Sequence, residues 1–129
     1  MNNTCSSSRR ILLVDNEPDN TSVFSMGLED AGFKVDAFND SLLALSNFKA
    51  RFYDLSILDI NMPNMNGFEL YKEIRKKDEK VTVCFLTASD MYHESLRVPP
   101  QTLNDVNCFI PKPISIDDFI KRVEIEISR

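Results

Sequence analysis

The sequence predicts an α/β domain built around a parallel sheet. Apolar, strand-like runs alternate with helical patterns along the whole chain, which is typical of βαβ units. Short connections and right-handed crossovers leave few topologies for such a chain. Its 129 residues, 43% hydrophobic and 27% charged, fit one domain with a single core.

Five strands are predicted from the apolar runs. The first is a continuous apolar run after Arg10, which favours burial on both faces. The second alternates polar and apolar residues, as a half-exposed edge strand does. The five predicted strands are Arg10–Val14, Lys34–Phe38, Leu55–Leu58, Val81–Leu86 and Asn107–Ile110.

The helices are predicted from capping residues and from apolar spacing. Pro18 opens the first helix, and Gly32 ends it. Asn39-Asp40-Ser41 precedes the second helix, and Ser115 precedes the last. The third is predicted over Gly67–Lys77. The predicted inward-facing residues are Val23, Met26 or Gly27, and Asp30 or Ala31 in the first helix; Leu42, Leu45 and Phe48 in the second; Phe68, Leu70, Tyr71 and Ile74 in the third; and Phe119, Ile120, Val123 and Ile127 in the last.

Residues 90–105 are the least regular part of the pattern. A short helix from about Asp90 to Arg97 is predicted, and Pro99-Pro100 must break it. We expect this segment to be the most mobile. Residues 1–8 are expected to be a disordered tail and residues 9–129 the domain, with no output domain in this chain.

Composition and terminal motifs exclude several classes of protein. The net charge of −5 disfavours direct nucleic-acid binding, which depends on cationic side chains. The chain shows no signal peptide, no transmembrane run and no lipidation motif, so we expect a cytoplasmic protein without membrane insertion. Cys5, Cys84 and Cys108 lack metal-site spacing and are predicted to be reduced thiols.

Polar side chains suited to phosphate chemistry follow four of the predicted strands. Asp15, Asp59, Thr87 and Lys112 each stand at or just beyond a strand end. Because ligands bind at the carboxyl edge of open α/β sheets, we expect these side chains to meet there. A carboxylate can attack a phosphoryl group, and Mg²⁺ prefers oxygen ligands such as the two aspartates. The pattern therefore predicts a magnesium-dependent phosphoryl acceptor.

The motifs resemble those of the receiver domain of two-component response regulators, the CheY-like family. The resemblance covers residues 9–129. It implies a flavodoxin-like (βα)5 fold with the strand order 2-1-3-4-5. It rests on Val14-Asp15-Asn16-Glu17-Pro18, on Leu58-Asp59-Ile60-Asn61-Met62-Pro63 with Gly67, on Leu86-Thr87-Ala88-Ser89 and on Pro111-Lys112-Pro113.

The resemblance also implies roles for individual residues. Asp59 is the phosphoacceptor, Lys112 pairs with a phosphoryl oxygen and Thr87 donates a hydrogen bond to another. Thr87 and Phe109 form the conformational switch. The Lys112-Pro113 peptide bond is expected to be cis. Mg²⁺ or Mn²⁺, with no organic cofactor, is expected on Asp15, Asn16, Asp59 and the Asn61 carbonyl, with Glu17 as a further candidate.

The implied function is that of a stoichiometric phosphoacceptor rather than a classical enzyme. A histidine kinase or phosphotransfer protein is the expected donor, and the domain catalyses at most its own phosphorylation and dephosphorylation. An unidentified downstream effector reads the switched surface. The domain is expected to be a monomer or a weak dimer, because the irregular segment shortens the helix of the usual dimer face.

Two alternatives are open at this point. The family usually carries two adjacent acids after its first strand, but the second position here is Asn16. The loss of this charge admits a pseudo-receiver, an interaction module with impaired metal binding. The second alternative is a haloacid-dehalogenase-like phosphatase, which also uses an aspartate nucleophile with Mg²⁺. Asn61 argues against it, because that family needs a second aspartate at this position.

Overall fold

The computed structural model describes residues 9–88 and 108–128. Five strands and four helices occur within these residues. In chain order they are β1 (Arg10–Val14), α1 (Pro18–Asp30), β2 (Lys34–Phe38), α2 (Ser41–Asn47), β3 (Leu55–Asp59), α3 (Gly67–Lys77), β4 (Thr82–Ala88), β5 (Cys108–Lys112) and α4 (Ile116–Ser128). The predicted tail over residues 1–8 and the predicted helix and mobile segment over residues 90–105 lie outside the described residues.

The strands form one parallel sheet in the order β2-β1-β3-β4-β5, which confirms the predicted fold class and strand order. β2 lies at one edge, as its alternating pattern predicted. The order reverses between β1 and β3, so the loops after these two strands leave on opposite sides of the sheet. A crevice opens at this point of an open α/β sheet, and ligands bind there.

Three predicted strands extend further at their carboxyl ends in the structure: β3 by one residue, to Asp59, and β4 and β5 by two residues each. β4 extends to Ala88 and β5 to Lys112, with Thr87 opposite Pro111 in the register. Pro111 is tolerated within a strand because β5 lies at the other sheet edge, where a missing N–H need not pair. Pairing between the two strands therefore continues up to the polar residues of the site.

The core has two layers, one on each face of the sheet. Alternate strand residues supply each layer, as pleating requires. On one face α2 and α3 cover a layer that includes Leu12, Leu58, Leu70, Ile74 and Phe85. On the other, α1 and α4 cover a layer that includes Ile57, Leu86, Ile110, Phe119 and Val123.

The inward side predicted for α1 is wrong. The structure buries Thr21, Phe24 and Leu28, whereas Val23 and Met26 are 53% and 65% exposed. The Phe24 ring stacks on Phe119 of α4, with centroids 4.1 Å apart. Packing between the two helices therefore sets the rotation of α1, and the pattern within α1 alone does not contain this information.

The other helices agree better with the predicted pattern. The inward residues predicted for α3 and α4 are buried or pack against the core. α3 begins with a capping box between Asn66 and Glu69. In α2 the prediction is wrong for Leu42, which is 48% exposed, while Ser41 and Ala44 are buried. The helix ends at Asn47, so its short length leaves room for only one buried turn.

The prediction of reduced thiols is wrong for Cys84 and Cys108. The two residues are register partners on β4 and β5, and a disulfide joins them in the structure. The sequence shows two apolar strands that each contain a cysteine, but not that the cysteines lie opposite each other. Among the described residues, no helix has the length and apolar character needed to cross a membrane.

Candidate functional site

Two carboxylates meet at the carboxyl edge of the sheet. Asp15 follows β1, and Asp59 ends β3, which pairs directly with β1. Asp15 has no exposed surface, and Asp59 is 3% exposed. Buried carboxylates are rare unless other groups compensate them. The sequence prediction that these two residues come together is confirmed.

Lys112 lies between the two carboxylates. Its Nζ is 3.3 Å from Asp15 Oδ2, to which it donates a hydrogen bond, and 3.6 Å from Asp59 Oδ2. The Lys112-Pro113 peptide bond is cis, as predicted. The ammonium group supplies one positive charge for the two acids, and its side chain is only 18% exposed.

The charge in this site is not balanced. Burial raises the pKa of Asp59, and the nearby Asp15 carboxylate raises it further. Lys112 and the backbone N–H of Asn61, which donates to Asp59 at 3.3 Å, lower the pKa but only in part. The net result is a pKa of about 6 for Asp59. The site therefore favours the arrival of a further positive charge.

More oxygen donors surround the carboxylates. An open cleft of about 700 Å³ is lined by Asn16, Glu17, Asn20, Asp59, Asn61 and Lys112, among others. The backbone N–H of Glu17 donates to Asp15 Oδ1 at 2.9 Å, which orders the loop after β1. Asn16, Glu17 and Asn61 are exposed at this cleft. The structure thus brings all predicted metal ligands to one place.

Asn20 was not predicted as part of the site. Its side-chain amide donates to Glu17 Oε1 at 2.9 Å and to Asp15 Oδ2 at 3.4 Å. It lies in the first turn of α1, three residues after Glu17 and five after Asp15. Its position three residues after Glu17, the N-cap residue of the helix, was a signal in the sequence that could have revealed it.

Asn39 also supports the site and was missed. Its side-chain amide donates to the Asp15 carbonyl oxygen at 2.7 Å and to Thr21 Oγ1 at 2.9 Å. The Asp15 backbone N–H donates to the carbonyl of Phe38 at 3.1 Å. The end of β2 therefore fixes the backbone of Asp15. The contact joins residues 24 positions apart, so no local pattern could indicate it.

Gly67 packs closely against the backbone of Asp59. A Cβ atom at this position would lie 2.5 Å from the Asp59 carbonyl oxygen and 2.8 Å from Ile60 Cα. The Gly67 N–H donates to the Ile60 carbonyl at 3.0 Å, which pins the start of α3 to the end of β3. Only a residue without a side chain permits this approach.

The two predicted switch residues lie on the neighbouring strands. Thr87 is buried on β4, two residues beyond the Phe85 ring and opposite Pro111. Phe109 on β5 is partly buried and stacks on Phe85, with centroids 5.6 Å apart. Phe85 also contacts the rings of Phe68 and Tyr71 edge-on. An aromatic cluster therefore runs from Phe109 to α3.

The donor set fits a hard divalent cation. Mg²⁺ binds oxygen ligands and keeps several waters, and it needs only one or two carboxylates. Asn16, Glu17, Asp59 and Asn61 line the cleft. Asp15 lies beside them, in contact with Lys112 and the backbone N–H of Glu17. The observation that tests the fit is that two buried carboxylates, Asp15 and Asp59, share the one ammonium group of Lys112, which leaves negative charge for a cation to offset. A nucleophilic carboxylate beside such an ion is suited to accept a phosphoryl group.

Comparison with known proteins gives a consistent result. Residues 11–124 match the family model of the response regulator receiver domain. The transcriptional regulatory protein TrcR of Mycobacterium tuberculosis is 30% identical over 114 residues, which are 88% of this chain and 43% of that protein. The CpxR homolog of Haemophilus influenzae is 37% identical over 120 residues, 93% of this chain and 51% of that protein. The chain therefore spans about half the length of these relatives.

A solved structure shows the same fold. The non-phosphorylated receiver domain of HemR from Leptospira biflexa is 32% identical, with a TM-score of 0.82. The match covers 95% of this chain and 96% of that one. A receiver domain protein from Clostridium thermocellum, 22% identical with a TM-score of 0.78, adds support for the fold alone.

Proposed function

The chain belongs to the response regulator receiver family of two-component signalling, and on this premise we propose that Asp59 is its phosphoacceptor. The observation that carries the proposal is the position of Lys112 Nζ, 3.3 Å from Asp15 and 3.6 Å from Asp59. In this arrangement the ammonium group can bind an incoming phosphoryl dianion, and the two buried carboxylates can bind the metal ion that accompanies it. Family membership also removes the phosphatase alternative.

The proposed reaction is one displacement at phosphorus. An oxygen of the Asp59 carboxylate attacks the phosphoryl group of a phosphohistidine on the donor. A P–O bond forms as the P–N bond breaks, and the imidazole keeps the electron pair. The pKa of about 6 leaves most Asp59 ionised at neutral pH, as a nucleophile must be. Lys112 is within reach of the oxygens that gain charge.

The metal ligands we propose are Asp15, Asp59, Asn16, the Asn61 carbonyl and Glu17. Mg²⁺, or Mn²⁺ in its place, would offset the charge of donor and acceptor when it is bound. In this chain the acid missing at Asn16 is replaced by Glu17, whose carboxylate lies at the same cleft. Asn16 is also the observation that supports the second candidate, a pseudo-receiver without effective metal binding.

Thr87 and Phe109 are the proposed switch. Thr87 would donate a hydrogen bond to the new phosphoryl group, and the Phe109 ring would follow it inward. The support is structural proximity: the two residues lie on paired strands, and both neighbour Phe85. A shift of Thr87 would therefore change the packing beneath Phe109, and partners would read this change at the surface.

The proposed setting is a cytoplasmic phosphorelay. Receiver domains interact with histidine kinases and effectors, and relatives of this chain include sensor proteins such as EvgS of Escherichia coli. We propose a histidine kinase or phosphotransfer protein as the donor and a protein effector as the target, with no direct nucleic-acid contact. Residues 9–129 would act as the domain, as a monomer or a weak dimer, and catalyse only their own phosphorylation and dephosphorylation.

The test is intact mass measurement after incubation with acetyl phosphate, with and without Mg²⁺. We expect a gain of one phosphoryl group that requires the metal, is lost in Asp59→Asn and persists in the control Asp117→Asn, an exposed acid of α4. Labelling of Asp59→Asn would overturn the assignment. No labelling of the natural chain at any Mg²⁺ concentration would favour the pseudo-receiver.

A further inference from the structure

A cluster of two cysteines and an acidic residue lies beneath α4, on the face of the sheet covered by α1 and α4. Cys84 and Cys108 face each other across β4 and β5, with Cα atoms 4.6 Å apart. They are 0% and 1% exposed. The site described above does not use them. Glu126 of α4 is also buried, and its carboxylate lies within 4.8 Å of both sulfurs.

The strand geometry permits a reversible bond between the two cysteines. A Cα separation of 4.6 Å lies within the range of disulfides, and register partners on a sheet point to the same face. The two sulfurs are joined in the structure. Because the sheet holds both backbones whether or not the bond is present, the pair can open and close without rearrangement of the fold.

Glu126 gives this pair a proton acceptor. A carboxylate that is only 4% exposed needs a partner, and Arg122 provides one, with Nε 3.3 Å from Oε2. The arginine side chain is 35% exposed, so the ion pair connects the buried sulfurs to the surface. The thiolate is the reactive form of cysteine, and an adjacent general base activates a buried thiol by accepting its proton.

We propose that Cys84 and Cys108 form a redox modification site that exchanges with a low-molecular-weight disulfide, with Glu126 as the proton acceptor. One thiol transfers its proton to Glu126, and its thiolate attacks the small disulfide and expels one thiolate. The second cysteine, deprotonated in the same way, attacks the mixed disulfide and expels the other. The two leaving thiolates take up the two protons, so two protein thiols are oxidised and one small disulfide is reduced.

The burial of both cysteines predicts that thiol–disulfide exchange is slow. Among the described residues, α4 covers the sulfurs on this face, so opening of the C-terminal part of this helix would expose them to a reagent. Helix ends open at low cost compared with the core. The Arg9 guanidinium donates to the Ile127 carbonyl at 2.9 Å and holds this end of the helix against β1.

Oxidation joins the two strands that carry Thr87 and Lys112. The bond closes a loop between residues 24 positions apart. Closing such a loop restricts the unfolded chain and raises Tm, by roughly 10 °C for a domain of this size. Any effect on phosphorylation rests on the proposed function, but the exchange and the change in Tm do not, so the two can fail separately.

A metal site is the competing explanation. The two sulfurs and Glu126 are the three donors that converge among the residues described. Structural zinc sites use four protein ligands, and Arg122 already pairs with the Glu126 carboxylate. Three buried donors with one of them in an ion pair favour the thiol pair, and zinc binding becomes an outcome of the test.

The test uses the full chain with Cys5→Ser, so that two thiols remain. The protein is incubated in glutathione redox buffers, quenched with acid, denatured, alkylated and weighed intact. We expect two alkylations in the reduced form and none in the oxidised form, with full recovery by dithiothreitol and the higher Tm only in the oxidised form. Alkylation of both cysteines after prolonged oxidation, or stable glutathione adducts in their place, would overturn the proposal.

Variants separate the roles within the cluster. Cys84→Ala and Cys108→Ala should each abolish the redox dependence of Tm. Glu126→Gln should slow oxidation by roughly tenfold or more with the same final ratio of the two forms, whereas Glu124→Gln, an exposed neighbour on α4, should not. An unchanged rate of oxidation in Glu126→Gln would show that Glu126 is not the proton acceptor. Reduced protein that retains one zinc ion per chain, with both thiols protected until a chelator is added, would contradict the thiol pair.

Discussion

Asn20 holds the carboxylate of Glu17 at the cleft, with its amide nitrogen 2.9 Å from Glu17 Oε1. The same amide reaches Asp15 Oδ2 at 3.4 Å, so one side chain links the two acids that follow β1. We propose above that Glu17 supplies the charge that position 16 lacks. On that proposal, Asn20 is the side chain that keeps this charge at the cleft.

The affinity for Mg²⁺ should therefore depend on the charges at positions 16 and 17, and not on the neighbouring exposed acid Asp19. Glu17→Gln removes a negative charge from the cage and should weaken Mg²⁺ binding by roughly three- to tenfold, because hard cations respond to ligand charge. Asn16→Asp adds a charge and should tighten binding by a similar factor. Calorimetric titration with Mg²⁺ measures both. Asp19→Asn, another exposed acid in the first turn of α1, is the control and should change little.

The stability of the metal-free protein should fall as the pH rises through the raised pKa of Asp59. Burial and Asp15 raise this pKa from 3.8 to about 6, so between these values the folded state holds a proton that the unfolded state releases. The free energy of unfolding is therefore highest below about pH 4, where Asp59 is protonated in both states. It falls as the pH rises to 6 and levels off above that value. At pH 7 the loss is about 2–3 kcal/mol.

Asp59→Asn should remove this pH dependence. Its free energy of unfolding should exceed that of the natural chain at pH 7 by about 2 kcal/mol and match it near pH 4. Urea denaturation with a chelator present, from pH 4 to 8, provides the measurement. Parallel curves for the two proteins would contradict the raised pKa. Added Mg²⁺ should reverse the order at pH 7, because it binds only the folded natural site.

Gly67→Ala should damage the site through the backbone. The new Cβ would meet the Asp59 carbonyl oxygen at 2.5 Å, and backbone atoms cannot move aside as a flexible side chain can. We expect a loss of about 1–3 kcal/mol in stability and slower phosphorylation of Asp59. Denaturation and mass labelling measure the two effects.

Gly32→Ala separates crowding from backbone strain. Gly32 has φ near 101°, but nothing lies within 4 Å of its added Cβ. Its substitution should cost stability without slowing the labelling of Asp59, because Gly32 lies at the end of α1, away from the cleft. Equal loss of labelling in both variants would show that stability alone explains the Gly67 effect.

Asp78 should be a structural acid whose contribution disappears at low pH. Burial would raise its pKa, but backbone N–H donors, including Lys80 at 2.9 Å and Arg51 at 2.8 Å, together lower it. Arg51 has φ 61°, so Asp78 also supports a strained turn. Asp78→Ala should cost about 2 kcal/mol at pH 7.

The pH dependence distinguishes this role from simple packing. With a lowered pKa in the folded state, the stabilisation by Asp78 is present above its unfolded pKa and is lost as the pH falls through its folded pKa. The difference between Asp78→Ala and the natural chain should therefore narrow in strong acid. Denaturation at pH 7 and pH 3 tests this, with Glu79→Ala as an exposed control. A constant difference would point to packing.

The carboxyl ends of the strands could be predicted from local sequence patterns alone. A run such as Leu55–Leu58 that stops at Asp59 and continues into Pro63 and Gly67 already contains the end of the strand and the turn. Once the strands are parallel, their carboxyl ends must share one edge, so the meeting of Asp15, Asp59 and Lys112 follows. Strand order and the cis bond before Pro113 depended on the family resemblance.

What needed the folded chain was every relationship between elements distant in sequence. The side of α1 that packs inward depends on Phe119 of α4, and the support of Asp15 by Asn39 depends on the pairing of β2 with β1. Cys84 and Cys108 become partners only through the register of β4 and β5. A periodic pattern within one element records that a face is apolar, but the rotation, register and neighbours of that element are set by packing against the others.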